Sequence, residues 1–417
     1  MSGRYNGLQA KVKEDCPYAD FVPCYGHSLN LVGTRCAECC QQALLFFDFV
    51  SSLYNFFSAS TGRWDLLLKE LKKHGIVLTL KQLCGTRWSE RADATKALRK
   101  NYPMVGTVLE QIAASDDQKA EVRLQAEGLH NTLHKLETGI MLIFWDNVLS
   151  RFQRTSASLQ AADMCLNSAQ SQLQSLSPFI ESLKSTYSEI EREAKQLTGC
   201  DQYEEERKRV RKRKRHHDEL PDETENLPPA KKFELATFNV IIDSLLLELN
   251  KRQNAYKKLY NVFGILQDLS EASGEQISTG AENLVAAYPE DLEDDLVAEM
   301  IQFSALLKTD IAKNNDLKLN SVARLYDLIK KHNLESTFPN MDIVLRIYLS
   351  LMVTNCSGER SFSKLKRIKN EQRASIGQNR LNHLSLLSIE HELLRDLDTK
   401  GIISKFAAQK ARRRVML

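Results

Sequence analysis

Apolar residues recur at helical spacing along most of the 417-residue chain. Leu8 and Val12 share one face of a first helix that Pro17 stops. The short apolar segment Ala19-Asp20-Phe21-Val22-Pro23-Cys24 then predicts a buried strand. Helical spacing resumes through Leu44, Phe47 and Val50, and again through Leu53 to Phe57 and Trp64 to Leu68. Gly75 ends that run, and Ile76 to Leu80 reads as extended. A new helix starts near Ser89, and from about residue 105 the helices lengthen. Leu129, Leu133, Leu136 and Ile140 step by four and three, and Phe144, Trp145, Val148 and Phe152 carry the face onward.

A heptad seam follows, from Leu159 through Leu173, Ile180, Tyr187 and Ile190 to Leu197. Pro178 is expected to kink or split it, and Gly199 closes it. A second seam runs through Leu235, Phe238, Ile242, Leu245 and Leu249 and resumes at Tyr256, Leu259, Phe263 and Leu266. Two long helices joined by one loop predict an antiparallel hairpin. Further on, Ile343 to Val353 is apolar almost all round and predicts a helix buried on most sides. After it Phe362, Leu365 and Ile368 share one face, and Leu386, Ile389, Leu393 and Leu397 share one face of a last helix.

Composition agrees with a helical globular protein: 42% hydrophobic, 27% charged, only 9 prolines and 17 glycines. The net charge of +3 matters less than where charge sits. Arg207, Lys208, Arg209, Arg211, Lys212, Arg213, Lys214 and Arg215 fall within nine residues, inside an acidic, proline-containing loop over about 200–230. Self-repulsion keeps such a run solvated, and it fits a nuclear-import signal or a phosphate-binding arm. Residues 289–295 form an acidic run read as a surface connection and helix start, and Lys410 to Arg414 a basic tail. Nine irregularly spaced cysteines do not make a small disulfide framework. With no signal peptide and no long apolar run, the expected compartment is reducing, cytosolic or nuclear.

Three stretches carry candidate chemistry. Cys24-x-x-His27 could supply two zinc ligands, with Cys36, Cys39 and Cys40 close downstream, or these thiols pack in a helix. Arg87-Trp88, after Thr86, could stack on a base and grip a phosphate, or place a core tryptophan beside a surface arginine. Asn355-Cys356-Ser357-Gly358-Glu359-Arg360-Ser361-Phe362-Ser363 sets a carboxylate beside a guanidinium between two core helices. On residue types it is a structural ion pair, or a helix start with Ser357 as cap and Glu359 in the first turn.

Taken together, Cys24-x-x-His27 with Ser28-Leu29-Asn30-Leu31, Thr86-Arg87-Trp88, and Ser357-Gly358-Glu359-Arg360-Ser361-Phe362-Ser363 resemble the hAT superfamily of transposases. Within it they are similar to the transposase-derived zinc finger MYM-type proteins. The resemblance implies a ribonuclease H-like core, a large all-helical insertion and a C-terminal dimerisation region. It also implies two aspartates and a glutamate that hold two divalent metals for phosphodiester chemistry. Glu359 matches the third acid, His27 is implied near the scissile phosphate, and Trp88 is implied to contact DNA. The family's two aspartates precede its Cys-x-x-His motif. Asp15 and Asp20 lack their context, and the chain is expected to be truncated at its N-terminus.

The fold class expected is therefore mainly α, a long-helix insertion with a remnant of a ribonuclease H-like α/β core. The expected domains are a partial core over 1–80, the helical insertion over 81–335, the dimerisation region over 336–400 and a basic tail over 401–417. The expected function is protein dimerisation with non-specific DNA binding in the nucleus, catalysis lost and no cofactor held. The alternative is a fragment of an active cut-and-paste transposase that uses Mg2+ or Mn2+. A second copy of the chain and DNA are the expected partners; a membrane and a small-molecule substrate are not.

Overall fold

The computed structural model describes residues 7–83, 88–161, 164–204, 227–314, 322–354 and 356–409. Among them every regular element is helical. The N-terminal third holds α1 (Leu8–Asp15), α2 (Tyr25–Ala37), α3 (Gln41–Ser58), α4 (Thr61–Lys73) and α5 (Trp88–Ala114). Then come α6 (Ala120–Leu133), α7 (Leu136–Leu159), α8 (Leu166–Ser182) and, after a 3-10 turn, α9 (Tyr187–Thr198). Beyond residue 227 follow α10 (Pro229–Phe233), a π turn over 234–238, α11 (Asn239–Phe263), α12 (Ile265–Asp268) and α13 (Gly274–Ala287). The next are α14 (Leu296–Asn314), α15 (Val322–Lys331) and α16 (Pro339–Ser350). The last are α17 (Cys356–Ile368), α18 (Gln378–Ile389), α19 (His391–Arg395) and α20 (Thr399–Gln409). Two compact units divide the chain, residues 1–354 and residues 355–417.

The first unit is built around α7. Its residues from Leu136 to Val148 are buried almost continuously, because α5, α9, α2 and α3 all pack on it. Trp145 is fully buried, with Phe47 of α3 at 5.0 Å and Phe144 beside it. Such aromatic contacts add to the burial of a large apolar area. Gly139 sets how close α9 can come. A Cβ there would lie 2.6 Å from Cγ2 of Thr198, so only glycine admits this approach. Arg99 of α5 ties the same layer, pairing with Asp146 of α7 at 2.7 Å and with Glu193 of α9.

The expected antiparallel pairing of the two seams is present. Lys184 pairs with Asp243 at 2.6 Å, Gln253 donates to the Leu173 carbonyl at 2.8 Å, and Gln267 reaches Cys165 at 3.3 Å. Partners thus descend in number on one side as they rise on the other. The first seam is not one helix, however. It breaks between α7 and α8 and again at the 3-10 turn Leu183–Thr186, while Pro178 stays inside α8. The Gln253 amide, within reach of both the Leu173 carbonyl and Ser177 Oγ, supplies a donor in the turn that the proline disturbs.

Gly75 and Gly199 both adopt left-handed backbone, with φ of 66° and 69°, and end α4 and α9 as expected. The expected strand over 19–24 does not form. A strand needs a neighbour to satisfy its ladder, and none exists among the described residues. Instead the Pro23 carbonyl accepts the Tyr256 hydroxyl at 2.9 Å. The described part of residues 1–80 is helices and their connections, with no sheet. The last predicted helix is also interrupted: Glu390 separates α18 from α19. Among the described residues no single helix is long and apolar enough to cross a membrane.

Candidate dimerisation surface and the motif residues

The helix buried on most sides is α16, and three residues fix its start. Pro339 occupies the first turn, where its missing N–H costs nothing. Glu299, buried in the first turn of α14, accepts the Asn340 N–H at 3.2 Å and the Met341 N–H at 2.9 Å. It also accepts the Asn340 side-chain amide at 2.8 Å, whose oxygen in turn takes the Glu293 N–H at 3.0 Å. A carboxylate on those orphan donors satisfies them and complements the positive helix end. From α15, Lys330 bridges Asp342 at 2.9 Å and Glu335 at 3.1 Å. The hydrogen bond to Asp342 is the main reason its ammonium titrates above the usual lysine range.

In the second unit α17 packs on α18, and Lys364 Nζ donates to the Ser388 carbonyl at 3.2 Å. Its apolar residues are poorly covered. Leu381 alone among the described hydrophobic residues of this unit is buried; Leu365, Ile368, Leu384 and Leu394 are half-buried. Leu386, Leu387, Ile389, Leu393, Leu397, Ile402, Ile403 and Phe406 are exposed, as is Phe362, at 71%. Exposed apolar side chains in this density mark an association surface.

The motif residues divide. His27 is exposed on α2, and Cys24 is the residue that precedes that helix. The Tyr25 N–H donates to the Val353 carbonyl at 3.1 Å, so the Cys24-x-x-His27 turn lies against the last residues of the first unit. Tyr25 stacks on Tyr256 at 3.7 Å, and Ser28 Oγ hydrogen-bonds the Tyr256 hydroxyl at 2.8 Å. Burial pushes both phenols above the ordinary tyrosine range. Asp20 accepts the Tyr288 hydroxyl at 2.7 Å and pairs with Lys258 at 3.4 Å.

Trp88 is the first residue of α5, but its side chain lies outside the described residues, as do Arg87 and the whole run from Arg207 to Arg215. Glu359 lies in the first turn of α17; its side chain, like that of Arg360, is also outside them. The helix starts at Cys356, so Ser357 sits inside it rather than at its cap. Cys36 is buried, and burial pushes its thiol up to about 12. Among the described residues no group of three His, Cys, Asp or Glu side chains could hold a metal ion.

What sequence reasoning missed is Glu299. It lies 41 residues from Asn340, beside an acidic run that reads as solvated, and no local spacing signals a cap on a distant helix. Residues 307–393, which reach from α14 to α19 and take in this buried start and the exposed Phe362, Leu386, Leu387, Ile389 and Leu393, match the hAT family C-terminal dimerisation region.

Proposed function

We propose that the chain, which matches the hAT family C-terminal dimerisation region over residues 307–393, is an hAT-type transposase-derived protein and that it acts by associating with a second copy of itself through its C-terminal region. The observation that carries this reading is the series of exposed apolar residues from Leu386 to Phe406 in a unit with one buried leucine among its described residues. Covering those side chains releases water-exposed apolar area, the dominant favourable term in association. Sedimentation velocity of the full chain over micromolar concentrations tests it: a dimer is expected, and a monomer throughout contradicts it.

Two finer statements accompany this reading. Motif order supports a place among the zinc finger MYM-type branch, with residues 1–80 as an ancestral remnant of the ribonuclease H-like core. The basic run from Arg207 to Arg215 supports sequence-independent DNA affinity and a nuclear location. A filter-binding titration in which retention falls steeply with salt is the expected result.

Catalysis is not part of the proposed activity. Two-metal phosphodiester chemistry needs several hard oxygen ligands, and Glu359 supplies one carboxylate. Asp20, just before the Cys24-x-x-His27 motif, is engaged by Tyr288 and Lys258. With Mg2+ or Mn2+ added, the chain and its Glu359→Gln variant are expected to be equally inactive on DNA. Cleavage or strand transfer abolished by that substitution would overturn this part.

A further inference from the structure

The second unit is far more basic than the chain as a whole. Residues 355–417 hold fourteen Lys and Arg against six Asp and Glu, while the chain totals are 57 and 54. The charge is densest where α17 turns into α18. Lys366 and Arg367 end α17, Lys369 follows, Arg373 lies in the short 3-10 turn Glu371–Arg373, and Arg380 is in the first turn of α18. All five are exposed. None of their side chains enters an ion pair or a hydrogen bond among the described residues, and Glu371 is the single acid between Lys366 and Arg380. Because α17 and α18 pack on each other, their connection gathers these charges at one end of a helical hairpin.

Two further features of the corner fit the same kind of ligand. The 12-residue α18 starts after Gly377 with no side-chain cap and no acid in its first turn. Its first N–H groups therefore keep both their donors and the positive end of the helix dipole. Asn370, Gln372 and Asn379, all exposed, interleave the cations with amide groups. Guanidinium forks, amide side chains and a free helix N-terminus are the donor set that grips the phosphates of a nucleic-acid backbone.

We propose that the α17–α18 corner is a sequence-independent binding surface for the phosphate backbone of double-stranded nucleic acid. It is a different segment from the Arg207–Arg215 run, and it lies in the region proposed for association. A dimer would then carry two such corners, and a duplex held by both would bind more tightly than by either. The carboxylates of an acidic protein segment would accept the same donors, as Glu299 does at the start of α16; what favours a duplex is the spread of five unpaired cations along residues 366–380, which suits a backbone that carries a charge at every nucleotide.

Fluorescence anisotropy of the full chain with a labelled mixed-sequence DNA duplex, titrated with monovalent salt, tests this. Four proteins are compared: the wild type, a corner variant carrying Lys366→Gln, Arg367→Gln, Arg373→Gln and Arg380→Gln, a variant with the run from Arg207 to Arg215 neutralised, and the double Arg373→Gln, Arg380→Gln variant. Each phosphate contact contributes about 0.9 to the slope of log affinity against log salt, so the corner variant is expected to be shallower by about 3.6 and the double variant by about 1.8. The run variant is expected to keep a salt-dependent slope. Light scattering reads the mass separately, and the double variant carries the test if four substitutions alter it. An unchanged slope in the corner and double variants overturns the proposal. So does displacement of DNA by polyglutamate at equal charge concentration, which would assign the corner to an acidic protein.

Discussion

The carboxylate of Glu299 accepts the backbone N–H of Met341 at 2.9 Å, so an acid in the first turn of α14 caps the N-terminus of α16. The same carboxylate takes both N–H groups of Asn340, backbone and side chain. Charge-assisted bonds on buried donors are worth more than neutral ones, and leaving such donors empty carries their full desolvation cost. Glu299→Ala is expected to lower the stability of the first unit by about 3 kcal/mol, read as a shift of the urea unfolding midpoint. Asn340→Ala is expected to cost about 1–2 kcal/mol. Because the two share one network, the double variant should lose less than the sum.

The close approach of α7 and α9 makes a second prediction. Gly139→Ala drives a methyl into Thr198 Cγ2, and overpacking of this kind costs about 1–3 kcal/mol. Thr198→Ser removes that methyl but keeps a hydroxyl to donate to the Ala194 carbonyl, as Thr198 does at 2.9 Å. The Gly139→Ala, Thr198→Ser double variant is therefore expected to recover most of the lost stability by the same urea measurement. No recovery would place the strain elsewhere.

Cys39 and Cys40 form a pair with opposite tendencies. The hydrogen bond from the Cys39 thiol, then the Ala43 and Gln42 N–H groups at the start of α3, hold Cys40 down at about 6 against the ordinary 9.0, while its own burial acts the other way. The same bond, with burial, pushes Cys39 up. Alkylation with iodoacetamide, read by peptide mass, should therefore show Cys40 reacting with a half-rise near pH 6 and Cys36 hardly reacting at neutral pH. Cys39→Ser should move the Cys40 profile toward the ordinary thiol range. The sign for stability follows: a thiol lowered on folding contributes stability above its unfolded value, and that contribution is lost as pH falls through about 6.

Local periodicity carried most of the helices into view, since α3, α7, α11 and α16 each bury a face whose spacing can be counted along the chain. Gly75 and Gly199 were legible for the same reason, a left-handed residue favouring glycine. The segment 19–24 misled because short apolar runs suit strand or buried coil alike, and only tertiary partners such as Tyr256 decide between them. Pro178 was legible as a disturbance of the seam but not the place of the break, since α8 runs through it and the α-helix gives way only at the 3-10 turn Leu183–Thr186. The candidate surface was half legible. Leu386, Ile389, Leu393 and Leu397 were evident as one apolar stripe, but a stripe predicts burial, and their exposure needed the structure. The buried cap from Glu299 left no local trace at all.

The central claim is association through the second unit, and Leu393 and Phe406, exposed at 64% and 67%, are the side chains to probe. A buried charge in an apolar interface goes uncompensated, so Leu393→Glu with Phe406→Glu should split the dimer while sparing the fold of the first unit. The direct measurement is light scattering of the wild type and this variant at the same micromolar concentration, with circular dichroism as the control for helix content. The account predicts twice the chain mass for the wild type and one chain mass for the variant. A wild type that scatters as a monomer, or a helical variant that still scatters as a dimer, would contradict it.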